Sequence, residues 1–203
     1  MAKKKTVEMI HGMPAYVYVL LPFLLVFAIA FFVVRSFWGT TVDPRMLLVF
    51  LVLLVTASRM LQFWQFGIQV YDLILFLVTL KYGIGMGLLF IFISLVGVLY
   101  SVFFIRKHML IHTIEGPLLQ TFDLSLYVVL VGVAAIFFRE QMIANIVMWG
   151  MFFSTIQLVV DALLTRRLIG IDLARLSNGV IVGILINYNF FVAFGQRLYE
   201  MLP

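Results

Sequence analysis

Arg59 stands within an apolar run, Arg45 to Phe66, whose second half also carries Thr56, Ser58, Gln62 and Gln65. By helix rise it lies about 10 Å from the nearer end of that run. A guanidinium deep in a bilayer costs about 2.5–3.5 kcal/mol on insertion scales, unless it snorkels to the headgroups or finds an acid. Three acids sit in apolar runs of their own: Asp72, Asp123 and Asp161. Gln120, Asp123 and Tyr127 are spaced i, i+3, i+7, so one helix face carries all three. Ser154, Gln157, Asp161 and Thr165 repeat the pattern over another face. Buried carboxylates need pairing, hydrogen bonds or neutralisation. One arginine cannot serve three of them, so at least one Asp should take a proton or a cation, or face the cytoplasm. Asp72 and Asp123 also suit the bland role of helix caps at the membrane edge. Asn187, Tyr188 and Asn189 lie mid-way along the last apolar run, and at least one of them should face other helices and hydrogen-bond to them. The candidate solute or ion pathway is therefore Arg59, Gln62, Asp72, Asp123, Gln157, Asp161 and Asn187. Arg59 is expected to meet a carboxylate of Asp72, Asp123 or Asp161.

Other chemistries find less support. His108, His112 and Glu115 are spaced i, i+4, i+7 and on a helix could approach one metal ion. No fourth ligand accompanies them, and Met109, Leu110 and Ile111 make the same segment an amphipathic interfacial turn. There is no cysteine, hence no disulfide and no thiolate. There is no H-E-x-x-H and no G-x-S-x-G. Gly83-Ile-Gly85-Met86-Gly87 lacks the lysine of a phosphate loop. Tyr71-Asp72 is similar to the Tyr-Asp half of the intramembrane aspartyl proteases. Met86 stands where their second Asp would follow Gly-x-Gly, and no Pro-Ala-Leu occurs. The chain is expected to be no enzyme and to need no cofactor.

The elements that position these residues follow from composition. Of 203 residues, 65% are hydrophobic and 11% charged, against about 45–50% and about 25% in soluble domains. The excess lies in long runs, which predicts one all-α polytopic membrane domain over 1–203. A basic, cytoplasmic segment over 1–14 precedes candidate spans at 15–38, 45–66, 67–83, 84–105, 118–138, 142–164 and 174–200. The first is longer than the about 7–15-residue core of a signal peptide, so it reads as uncleaved. Asp43 and Asp172 are placed to cap helices, and Arg139-Glu140 to form a tight turn. The third span is short, and Gly83 to Gly87 must break it, because one helix from Asp72 to Ile105 would reach about 50 Å. Gly83-x-x-x-Gly87 and Gly179-x-x-x-Gly183 permit close helix approach.

Charge placement favours seven spans. With Lys3, Lys4 and Lys5 inside, Arg106, Lys107, Arg166, Arg167 and Arg175 also fall inside. Arg35, Arg45, Lys81, Arg139 and Arg197 fall outside, eight against five. Six spans is the alternative. The short span before a glycine-broken one is similar to the substrate-binding subunits of vitamin transporters, which have six spans and both ends inside. Residues 69–78 and 120–129 align, with Gln, Asp, two Leu and Val identical, suggesting a parallel hairpin repeat. The cations of this +5 chain flank apolar runs without interleaved aromatics, so nucleic acid is not an expected partner. Expected partners are the lipid bilayer, a small solute or ion, and another membrane protein or a second copy of this chain. The function these residues suggest is a small transporter or channel-like protein with a polar inner-leaflet pocket. The alternative is a non-catalytic scaffold or assembly subunit of a membrane complex.

Overall fold

The computed structural model of the chain describes residues 9–10, 13–14, 44–63, 70–106, 115–169 and 173–202. The first span, the Asp43 and Asp172 caps, Gln65, Gln69, His108 and His112 lie outside them, as do the side chains of Gln62 and Glu115. The described chain is all-helical apart from a two-residue antiparallel pairing of Met9–Ile10 with Met13–Pro14. The helices are α1 (Pro44–Phe63), α2 (Val70–Tyr82), α3 (Ile84–Arg106), α4 (Glu115–Ala144), α5 (Ile146–Ile169) and α6 (Leu173–Phe190). A π-helical turn, Phe191–Gly195, carries α6 into α7 (Gln196–Met201).

Helix α2 is the hub. Its segment Leu73-Ile-Leu-Phe-Leu-Val-Thr-Leu80 is apolar at nearly every position, and such a helix has no face to offer water. All ten residues from Tyr71 to Leu80 are buried. Helices α1, α3, α4, α5 and α6 pack around it, with α7 and the π turn against its far end. At 13 residues it is about 20 Å long.

The break after α2 falls at Gly83, whose φ of +89° lies in the left-handed region. The chain then re-enters helix at once, so Gly85 and Gly87 belong to α3. The glycines of the Gly83-x-x-x-Gly87 pattern thus do different work. Gly83 makes the turn, whereas Gly87 lets α3 approach Thr79 and Val128. Space is open around a Cβ at either Gly83 or Gly85. Gly83→Ala should therefore lose about 1–2 kcal/mol for backbone reasons alone. Gly85→Ala should gain up to about 1 kcal/mol of helix propensity. Denaturant unfolding of the two variants in detergent checks the pair, and equal midpoints would remove the left-handed turn from the explanation.

The turn expected at Arg139-Glu140 is corrected. Helix α4 runs through both residues to Ala144, and the interruption before α5 falls at Asn145. Arg, Glu, Gln and Met are good helix formers, and no glycine or proline interrupts them. The chain bends instead at Phe138, the one residue inside α4 with non-helical dihedrals (φ −127°, ψ 21°). Arg139 Nη2 donates to the Lys81 carbonyl at 3.2 Å, and Lys81 Nζ lies 5.0 Å from the centre of the Tyr199 ring. The end of α2, the bend in α4 and α7 therefore meet at one end of the bundle.

Two stretches, Gln120–Ala144 and Val180–Met201, are long and apolar enough to cross a membrane. In their most apolar windows 39% and 22% of the residues are buried, and the remainder lie toward the outside of the bundle. Their outward residues include Phe122, Ile136, Phe137, Val182 and Leu185.

Candidate functional site

The charged and amide residues inside the bundle form three clusters. Arg59, brought in by α1, is wholly buried. Its Nε donates to Gln120 Oε1 at 3.4 Å, and its Nη1 to the Ile91 carbonyl at 2.8 Å and Ser94 Oγ at 2.5 Å. Its Nη2 donates to Thr121 Oγ1 at 2.6 Å. Ser94 Oγ itself donates to the Ile91 carbonyl at 2.8 Å, which fixes the rotamer facing the guanidinium. The planar fork thus joins α1 to α3 and α4 through four hydrogen bonds from its three nitrogens.

The expected ion pair is absent. Among the described residues no carboxylate lies within salt-bridge distance of Arg59; its partners are a carbonyl, an amide and two hydroxyls. The snorkelling alternative fails as well, since the side chain points into the bundle. The geometry explains both outcomes. Ser94 is the one polar residue between Leu88 and Leu99, and Thr121 follows Gln120 directly, so oriented neutral dipoles meet the cation before any acid can. Neither residue was a candidate by spacing, although the isolation of Ser94 in an apolar run was a usable signal.

Asp72 forms the second cluster, at the start of α2. It is wholly buried. Its Oδ2 accepts from Ser154 Oγ at 2.7 Å and from Asn187 Nδ2 at 3.1 Å. Asn187 Nδ2 also reaches Ser154 Oγ at 2.5 Å. The Tyr127 hydroxyl donates to the Asp72 backbone carbonyl at 3.0 Å. Four helices, α2, α4, α5 and α6, therefore converge on one residue. Asp72 Oδ1 is buried and meets no hydrogen-bond donor among the described residues.

Asp123 and Gln157 form the third cluster. Gln157 Nε2 donates to Asp123 Oδ2 at 2.7 Å, and Gln157 Oε1 is buried without a donor. Both residues line a small groove between α4 and α5, with Leu126, Tyr127, Phe153 and Ile156. Asp161, further along the same α5 face, is only half-buried. Of the three mid-helix polar residues on α6, Asn187 is the buried one, whereas Tyr188 and Asn189 are exposed. The two halves of the apparent repeat have unlike surroundings. Asp72 lies on a 13-residue helix enclosed on every side, and Asp123 on a 30-residue helix with an open face.

The described residues hold no group of three or more His, Cys, Asp or Glu that could bind a metal ion. Comparison of the chain with protein-family models, curated proteins and solved structures gives no match, so the site is read from its own geometry.

Proposed function

We propose that the chain is a multi-pass membrane protein that passes a small solute or ion through the bundle. Its polar path is lined by the Asp72 and Asp123 clusters. The exposed apolar faces of α3, α4, α5 and α6 suit lipid, since patches of that extent are rare on soluble monomers. The observation that carries the reading is Asp72. A carboxylate enclosed by helices, hydrogen-bonded by neutral groups and left with one open oxygen is expensive as packing alone. Intramembrane ionisable groups of this kind mark solute paths and proton relays. The N-terminus is placed in the cytoplasm and the C-terminus outside. The meeting of Lys81, Arg139 and Tyr199 at one end agrees with the outer assignment of those cations. Tags at the two ends should be reached from opposite sides, and tags reached from one side would return the six-span count.

The second reading, a scaffold or assembly subunit, draws on Arg59. Its donors meet only acceptors that staple helices together, which is what a purely structural arginine would do. Water access separates the two readings. The chain has no cysteine, so single thiols can be placed without background. Gln157→Cys in sealed vesicles should react with a small water-soluble thiol reagent, and Leu185→Cys on the outer surface of α6 should not. Silence at position 157 from both sides of the membrane would favour the scaffold.

A further inference from the structure

One face of α5 carries a graded line of acids. Ser154 holds Asp72 of α2, Gln157 holds Asp123 of α4, and Asp161 stands one turn further on. By helix rise the two steps are about 4.5 Å and about 6 Å. Burial falls along the line, from Asp72, wholly enclosed, through buried Asp123 to half-buried Asp161. A charge on Asp161 bears on both other acids, and one on Asp123 bears on Asp72. The other titratable groups around Asp123 are Tyr71 from α2 and Tyr127 from α4 itself, and the described side chains of α3 bring none. Arg59 directs its donors to Gln120, Ile91, Ser94 and Thr121. Among the described residues, Gln157 is the hydrogen-bond partner of the Asp123 carboxylate, and no cation contacts it.

At this middle acid the hydrogen bonds are half made. Gln157 Nε2 donates to Asp123 Oδ2 at 2.7 Å, while Oε1 of the same amide is buried and meets no donor. An ionised carboxylate has no hydrogen to offer that oxygen, whereas a carboxylic acid has one. Its O–H donates to Gln157 Oε1 while Oδ2 still accepts from Nε2, which closes an acid–amide ring of two hydrogen bonds. One proton thus satisfies the orphan acceptor and removes a charge that no cation balances. The groove beside the pair favours the same ligand. Its walls, Leu126, Leu130, Phe153 and Ile156, bring no side-chain oxygen, so a metal ion would lack most of its shell. It has room for about one water molecule and none for an organic cation. Leu126 and Leu130 are exposed, so the groove opens at the surface of the bundle.

We propose that Asp123 and Gln157 form a proton-binding site, and that the ion this chain handles is a proton moving along the line of Asp161, Asp123 and Asp72. The proton is held by an Asp123 carboxyl oxygen and shared with Gln157 Oε1. On release the O–H bond breaks and its electron pair stays on the Asp123 carboxylate. The proton passes to a neighbouring carboxylate, Asp161 toward the end of α5 or Asp72 toward the hub. Intramembrane carboxylates placed in series are the usual parts of a proton relay. The ring also joins α4 to α5 by two bonds when the proton is present and by one when it is absent. This rests on the reading of the chain as a solute- or ion-passing membrane protein and names the ion, but protonation of Asp123 itself requires no flux.

The test uses the full chain purified in detergent, with unfolding followed across pH for the wild type and Asp123→Asn. A proton kept by the fold and released by the unfolded chain makes stability fall as pH rises above about 4, where an ordinary Asp ionises. The fall ends once the folded site releases the proton too. For one proton the folded-to-unfolded ratio drops up to about tenfold per pH unit, and Asp123→Asn should lessen the wild-type slope by that amount. Asn also closes the ring, donating through Nδ2 to Gln157 Oε1. The variant should therefore match the wild type in acid and exceed it in alkali. Infrared spectroscopy supplies the second measurement. The carboxylic-acid band of the wild type at neutral pH should lose intensity in Asp123→Asn. It should move to higher frequency in Gln157→Leu, which removes the donor to its carbonyl. If Asp123→Asn does not fold, the wild-type band and its response to Gln157→Leu decide. A slope and band that ignore these variants would overturn the site, as would an Asp123→Asn chain less stable than the wild type at every pH. In sealed vesicles with an entrapped pH dye, an inside-negative potential should acidify the interior with the wild type and not with Asp123→Asn. A protonated Asp123 with neither flux nor thiol access at position 157 would sink the transport reading and keep the site. Thiol access with an ionised Asp123 would do the reverse.

Discussion

Arg59→Met is expected to lower the unfolding free energy by about 3 kcal/mol, measured by denaturant titration in detergent. Two effects oppose each other in that figure. Removing the guanidinium takes away four contacts, each about 1.5–3 kcal/mol for a charged donor. It also removes a desolvated charge that has no counter-ion in reach, which returns part of the loss. Ser94 softens the effect, because it already bonds the Ile91 carbonyl. Arg59→Lys should recover little, since three donors on one nitrogen cannot span Ile91, Thr121 and Gln120 together. The decisive comparison is the double variant. Arg59 and Asp72 have no hydrogen-bond partner in common, and they are linked only through Gln120 and Tyr71, so Arg59→Met with Asp72→Asn should add to within about 1 kcal/mol. Rescue of the single variant by Asp72→Asn would instead show that the two charges answer each other.

Much of the helical architecture could be read from the residues because glycine and apolar runs are strong local signals. The helix starting at Ile84, the break at Gly83 and the short α2 follow from chain lengths alone. Bounds drifted where the signal was weak. Arg139-Glu140 resembles a polar turn, yet the residues are helix formers and the bend fell one residue earlier, at Phe138. The faces were legible for the same reason as the helices. Gln120, Asp123 and Tyr127 turn inward together, as do Ser154 and Gln157, because the period of 3.6 fixes both sets. What spacing could not supply was the partner of each group. Opposite charges in one leaflet suggested a salt bridge, but partner choice depends on where α3 crosses α1, and Gly97 against Thr56 sets that crossing. The crossing delivers Ser94 and the Ile91 carbonyl to Arg59. The centrality of α2 was likewise hidden, since a uniformly apolar 13-mer shows no preferred face until its neighbours are known.

The second large effect is expected at Gly150. This glycine lies on α5 beneath Phe191, and a Cβ added there would overlap the ring. Phe191 has little freedom to move. It is wholly buried and packs edge-on against Phe76 of the hub at 5.8 Å between centroids. It also opens the π-helical turn, whose extra residue changes the angular position of every side chain that follows. Gly150→Val therefore forces either α5 away from α6 or Phe191 out of its pocket, a loss of about 2–3 kcal/mol by the usual scale of overpacking. Phe191→Ala alone should lose about 3–5 kcal/mol through the cavity left beside Phe76. Combined, the two changes should lose clearly less than their sum, because the valine fills part of the space vacated by the ring. The four unfolding curves of this cycle measure the contact directly, and strict additivity would mean that Gly150 and Phe191 do not touch. Asn187 lies one helical turn before Phe191 on α6, so a packing error at Phe191 should reach the Asp72 centre. Gly150→Val should therefore lower stability, whereas Gly85→Ala, in open space on α3, should not.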